Sequence, residues 1–162
     1  MKTDLQIMIN DCNTELADID NRISSMTPLD KGKVYLTQYA LIRACGTIEF
    51  VYRSIVADFF SQFNIPQIET YLDKNIRSGS MSADYNNIRK LLKAFDPQWE
   101  SSFISSVQLH CDGQRMISSI KSLVNNRHLF AHGRPPTATF NDIKQYYSDA
   151  VALIQLLDQA VR

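Results

Sequence analysis

From about Leu29 to Phe63 the chain carries no proline, and its apolar residues fall at Leu41, Cys45, Ile48, Tyr52, Ile55 and Phe59. The steps are four, three, four, three and four, which place all six side chains on one stripe of an α-helix. A stripe this long and regular can be buried only against other helices. The rest of the chain repeats the pattern. Leu5, Ile9, Leu16, Ile19 and Ile23 mark a first helix that stops before "TPLD". Asn64-Ile65-Pro66 ends the long second segment, and Pro66 to Arg77 reads as a shorter amphipathic helix closed by "SGSMS".

Asp84 is placed to cap "YNNIRKLLKAF", and Asp96-Pro97 opens a further short helix through about Val107. After the break at "CDGQ", Met116, Ile117, Ile120, Leu123 and Val124 define another helix. Thr139 with Asp142 three residues on resembles a capping box, and Phe140, Ile143, Tyr147, Val151, Ile154, Leu157 and Val161 trace the last helix. Only five glycines and five prolines are present, too little turn material for an all-β fold. The fold class expected is all-α: a helical bundle of long antiparallel helices with short helices inserted, in one domain over residues 1–162. Residues 66–107 read as an insertion of short helices. Phe59, Phe60, Tyr146 and Tyr147 are expected as core or interface aromatics, and Trp99 as a packing anchor.

Seventeen basic and seventeen acidic residues cancel, so no global field attracts nucleic acid and any anion site must be local. Cys12, Cys45 and Cys111 have no framework spacing and read as reduced thiols, Cys45 within the core. His110-Cys111-Asp112 could form a metal corner but reads better as a boundary loop. The first twenty residues carry acids throughout and no sustained apolar run, as expected of neither a signal peptide nor a membrane span. A cytoplasmic protein without membrane attachment is the simplest expectation.

The stretch "NNRHLFAHGRPP", Asn125 to Pro136, holds an arginine and two of the chain's three histidines within six residues. In a regular helix Arg127 and His132 lie roughly 140° apart around the axis. If the helix loosens near Ala131, with Gly133 at a left-handed cap, His132 can swing back towards Arg127. Pro135 and Pro136 forbid continuation. The last-turn position favours an imidazolium at His132 through the helix dipole. RNA cleavage without metal needs a base for the 2′-hydroxyl, an acid for the departing 5′-oxygen and a cation for the phosphorane. Imidazole suits the first two roles and guanidinium the third. Arg134 and Lys121 make the region locally basic. His128 and His132 also have zinc-ligand spacing, yet the glutamate of H-E-x-x-H and a third ligand are missing, so neither metal nor other cofactor is expected.

"NNRHLFAHG" resembles the R-polar-x-x-x-H signature of the HEPN superfamily, in its RiboL-PSP-HEPN-like form. "YALIRACGTIEFVYRSIV", Tyr39 to Val56, is similar to the long early HEPN helix, apolar with an embedded glutamate. The likeness extends from about the second helix to the C-terminus. It implies a metal-independent endoribonuclease, in a toxin or defence setting, acting as a homodimer whose two motifs face one cleft. By that resemblance Arg127 binds the scissile phosphate, His132 is the acid or base, and His128 orients substrate. Glu49, Arg134, Lys121 and Asn126 are supporting or substrate-binding candidates. RNA is the implied substrate, with an antitoxin or regulatory protein as a further partner.

Other readings remain beside it. One is an inactive HEPN-like module that binds a partner protein through apolar helices. Another is a nucleotide-binding domain using Arg127 and Arg134, though no glycine-rich phosphate loop supports it. Glu49 pairs by default with Arg53 one turn later, and alternatively reaches the cleft to position Arg127. Arg43 reads as surface or dimer interface.

Overall fold

The computed structural model describes residues 1–161; the last residue of the expected domain, Arg162, lies outside them. Among the described residues there are seven α-helices and no strand: α1 (Thr3–Ser25), α2 (Gly32–Ser61), α3 (Pro66–Leu72), α4 (Tyr85–Phe95), α5 (Pro97–Leu109), α6 (Gly113–Ala131) and α7 (Phe140–Ala160). The expected all-α class holds, and each expected helix is present. The single helix expected over Pro66 to Arg77 is α3 followed by a π-helical turn, Asp73–Arg77, in which Ser78 N–H donates to the Asp73 carbonyl at 3.0 Å. No helix among the described residues is long and apolar enough to cross a membrane.

Helix ends follow their sequence signals. Asp84 accepts from Asn86 N–H at 2.9 Å and Asp96 from Gln98 N–H at 2.7 Å. Thr139 and Asp142 close a reciprocal capping box, with Thr139 N–H to Asp142 at 2.8 Å and Asp142 N–H to Thr139 at 3.2 Å. These hydrogen bonds hold the Asp142 carboxyl below its ordinary pKa. At "CDGQ" the chain makes the expected turn between α5 and α6. His110 Nδ1 accepts from Asp112 N–H at 3.1 Å, and Gly113 packs so tightly that a Cβ there would lie 1.9 Å from the Val107 carbonyl oxygen.

Long-range polar contacts fix the helix directions. Lys2 meets Asp58 at 3.1 Å and Arg43 meets Glu15 at 2.6 Å, so α1 and α2 are antiparallel. Lys144–Asp20, Tyr147 Oη donating to Ile9 O at 3.1 Å, and Met1–Asp158 at 2.7 Å make α1 antiparallel to α7 as well. It follows that α2 and α7 run parallel, and α6, folded back on α7 by a short loop, is antiparallel to both. Arg43 is therefore an intramolecular clamp between α1 and α2, bonded to Glu15 and, at 2.6 Å, to Thr47.

The α2 stripe is buried as its spacing predicts, with Leu41, Cys45, Ile48, Tyr52 and Ile55 in one core with α1, α6 and α7. Residues 66–107 do not sit apart from that core. Ile88, Leu91, Leu92, Trp99, Phe103 and Val107 belong to it, and the Trp99 ring packs edge-on against Phe59 at 4.8 Å. Tyr147 is a core residue, while Phe59, Phe60 and Tyr146 flank the core half-buried.

One buried charge braces the α6–α7 hairpin. Asp149 is 3% exposed and accepts from Ser119 Oγ at 2.7 Å, Gln145 Nε2 at 3.1 Å and Arg115 at 3.2 Å. Asp149→Ala strands the buried Ser119 hydroxyl, and a loss of about 1–3 kcal/mol is expected in urea unfolding, with the slope unchanged.

Candidate functional site

The site is built on the last two turns of α6 and the loop that follows. That end is terminated by geometry of the Schellman type: Gly133 N–H donates to Phe130 O at 3.0 Å and Arg134 N–H to Leu129 O at 2.9 Å. Gly133 has φ +70°, the left-handed value expected for it, and Pro135 follows two residues later. The loop is then pulled back onto the helix by Asn126. This residue is 6% exposed, and its Oδ1 accepts from Thr137 N–H at 2.7 Å, Ala138 N–H at 2.9 Å and Thr137 Oγ1 at 3.2 Å. Its Nδ2 donates to Ser122 O at 2.9 Å. Asn126 thus points into the protein and fixes the loop rather than facing solvent.

His128 and His132 stand one turn apart on the exposed side, with ring centroids 4.3 Å apart and planes at 62°. Together with Leu129 and Arg134 they line a cavity of about 400 Å³. Lys121 is exposed two turns earlier, seven residues before His128 and so on the same face of α6.

Arg127 points the other way, to α2, where its guanidinium Nη2 donates to Glu49 Oε1. Both side chains are mostly buried, 29% and 16% exposed. Cys45, one turn before Glu49, lies with its sulfur 3.7 Å from the same carboxylate oxygen. Burial opposes the charge of Arg127, but its bonds to Glu49 and Cys45 prevail and raise its pKa above the ordinary value. Burial and the Glu49 charge push the Cys45 thiol up to about 12, so it remains protonated at neutral pH.

The default pairing of Glu49 with Arg53 is not what the fold uses. Glu49 turns inward to α6, and Arg53 contacts the Met81 carbonyl at 3.5 Å instead. Nor does His132 swing back to Arg127, because Glu49 holds the guanidinium and the His132 ring rests on His128. The structure therefore joins His128, His132 and Arg134 in one cavity and Arg127, Glu49 and Cys45 in an adjoining cluster. Leu129 and Cys45 were outside the sequence-predicted set. The position of Cys45 four residues before Glu49 is the signal that could have placed it there.

The family model for RiboL-PSP-HEPN matches residues 8–162. This chain belongs to the RiboL-PSP-HEPN family. The match begins within α1, earlier than the likeness read from the sequence, and runs through residues 66–107. No curated protein and no solved structure gives a match to the chain. HEPN domains are often RNases and often dimerise.

Because the Asn126 carbonyl oxygen serves three donors of the loop, Asn126→Ala is expected to cost about 1–3 kcal/mol. Faster amide exchange at Thr137 and Ala138 than in α7 checks the cause.

Proposed function

We propose that this HEPN domain is a metal-independent endoribonuclease that acts as a homodimer. The observation that carries this reading is the placement of two exposed imidazoles and Arg134 in one cavity, one residue from an arginine fixed by a buried carboxylate. One imidazole, His132 or its two-fold mate, takes the proton of the RNA 2′-hydroxyl as the 2′-oxygen bonds to phosphorus. The other gives a proton to the 5′-oxygen as the P–O5′ bond breaks, leaving a 2′,3′-cyclic phosphate and a 5′-hydroxyl. Arg127 stabilises the charge on the phosphorane, with Glu49 as its positioning residue. His128 orients His132 through its ring contact, Arg134 and Lys121 attract the strand, and Asn126 holds the loop. A toxin or defence role with a protein antitoxin is the setting that suits such a cytoplasmic RNase.

A second copy supplies what one copy lacks, since Arg127 and His132 of a single chain do not meet. The face proposed to receive it is the outer side of α2, where Tyr35, Tyr39 and Ile42 are 67%, 50% and 41% exposed. Glu49 pairs with Arg127 further along α2, while Val34 and Gln38 line a groove with Pro135 and Pro136. Ile42 and Gly46 therefore lie between these levels, beside the motif. A Cβ at Gly46 meets nothing within 4 Å, so the glycine is not required by the monomer and allows close approach of a partner helix.

Purified protein in EDTA is expected to cleave RNA to cyclic-phosphate ends, and Arg127→Ala or His132→Ala to lower kcat by about 10²–10⁴-fold without unfolding. The Arg127–Glu49 pair also suits a second reading, a non-catalytic module whose arginine is already neutralised by Glu49. Cleavage by wild type that both variants retain, or no cleavage of any RNA, decides for that module. Gly46→Arg is expected to keep the helical fold while sedimentation shows a monomer and cleavage disappears. A dimeric, active Gly46→Arg protein would place the interface elsewhere.

A further inference from the structure

Five arginines among the described residues are half-buried: Arg43, Arg53, Arg77, Arg89 and Arg127. Four of them meet a carboxylate, respectively Glu15, Asp58, Glu100 and Glu49. Arg53 does not. Its Nη1 reaches only the Met81 carbonyl at 3.5 Å, and its Nε is buried with no hydrogen-bond partner. An orphaned, buried guanidinium N–H costs stability unless something supplies an acceptor.

The space beside it is suited to do so. Arg53 lines a cavity of about 500 Å³ with Lys74, Ser80, Gly79, Ile76 and Leu91, and no carboxylate lines it. The wall is held in place: Tyr52, itself fully buried, donates its hydroxyl to Met81 O at 3.0 Å and Ser82 O at 3.2 Å. Lys74 lies exposed and makes no ion pair. Two cations and a hydroxyl without a counter-charge form a site for an anion with several oxygens.

Its position on α2 points to which anion. Arg53 is one helical turn beyond Glu49, a rise of about 6 Å, and on the same face. Glu49 holds Arg127, so Arg53 leaves α2 one helical turn from the point where the arginine of the proposed scissile phosphate is held, a backbone rise comparable to one nucleotide step. We infer that the Arg53–Lys74–Ser80 pocket binds the backbone phosphate neighbouring the one that is cut, making the substrate a strand that extends past the cleavage point. This inference rests on the ribonuclease reading for its substrate, but its binding test does not need cleavage.

The probe is a short 2′-O-methyl RNA, which lacks the attacking hydroxyl, followed by fluorescence anisotropy in EDTA across a salt series. Arg53→Gln with Lys74→Ala is expected to weaken binding on the order of tenfold and to flatten the slope of log affinity against log salt by about 1.4, or about 0.7 for each cation lost. Lys74→Ala alone touches only an exposed side chain, so it serves as the variant that must fold, and half the change in slope is expected from it. In cleavage assays the same variants should raise KM for longer RNA and leave a dinucleotide, with its single phosphate, unaffected. A general structural defect would impair both substrates. Unchanged affinity and slope in the variants would overturn the pocket assignment even if wild type cleaves RNA. Binding through Arg53 and Lys74 without any cleavage would instead retire the ribonuclease reading and leave the phosphate pocket standing. Displacement of the RNA by polyglutamate at equal charge concentration would make this a pocket for acidic peptides and also overturn the assignment.

Discussion

A carboxylate embedded in an apolar helix needs a partner to offset the hydration it loses, and Glu49 is such a group. It lies among the buried residues of α2, 16% exposed, and the cation it finds is Arg127 of α6. Leaving either partner of a buried pair alone costs about 3–5 kcal/mol, so the register of α6 on α2 is strongly specified by this one bond. From that register the rest of the site follows. With Arg127 turned to α2, His128 lies about 100° further round the helix and faces outward. His132 lies one turn on and stacks beside it.

The α2 helix thus has two jobs on two faces. Its inner stripe from Leu41 to Ile55 makes the core with α1 and α7, and its other side carries Glu49 and Arg53 together with the exposed Tyr39, Ile42 and Gly46. Charged residues amid an apolar run would weaken a helix that served packing alone. Here they stand where α2 passes α6 and the segment after the π-helical turn, so the helix that organises the core also sets distances within the site.

The helices were legible because their signals are local. The period of the apolar stripes, Asp84 and Asp96 as caps, the Thr139–Asp142 box and Gly133 at a left-handed position each act within a few residues of one another. The motif was legible for the same reason, since Arg127 to His132 is one contiguous stretch. What could not be read was choice among partners distant in sequence. Glu49 had an acceptable cation one turn away in Arg53, and only the packing of α6 made Arg127, 78 residues on, the partner taken. Asn126 shows the same limit. A polar residue beside the arginine–histidine motif reads as substrate-facing, yet the periodicity of α6 turns it inward, where the loop's N–H groups claim it. Arg43 likewise looked free until α1 folded back and brought Glu15 to it.

The Glu49–Arg127 bond raises an objection to a phosphate-binding arginine, since a neutralised guanidinium should attract an anion weakly. The geometry of guanidinium answers part of it. Five N–H donors are arranged in a planar fork, and Glu49 engages Nη2 with Cys45 also in contact, which leaves further donors of the fork uncommitted. The carboxylate then acts as a brace: it removes the rotamer freedom that a long side chain would otherwise lose on binding phosphate. On the proposed reading, charge lost to Glu49 would be made up by Arg134 at the cavity and by Arg53 one turn along α2, neither of which has a carboxylate partner. On the proposed ribonuclease reading, a net-neutral chain would in this way hold a strand of phosphates, with its cations divided into one clamped for geometry and others left unpaired for attraction.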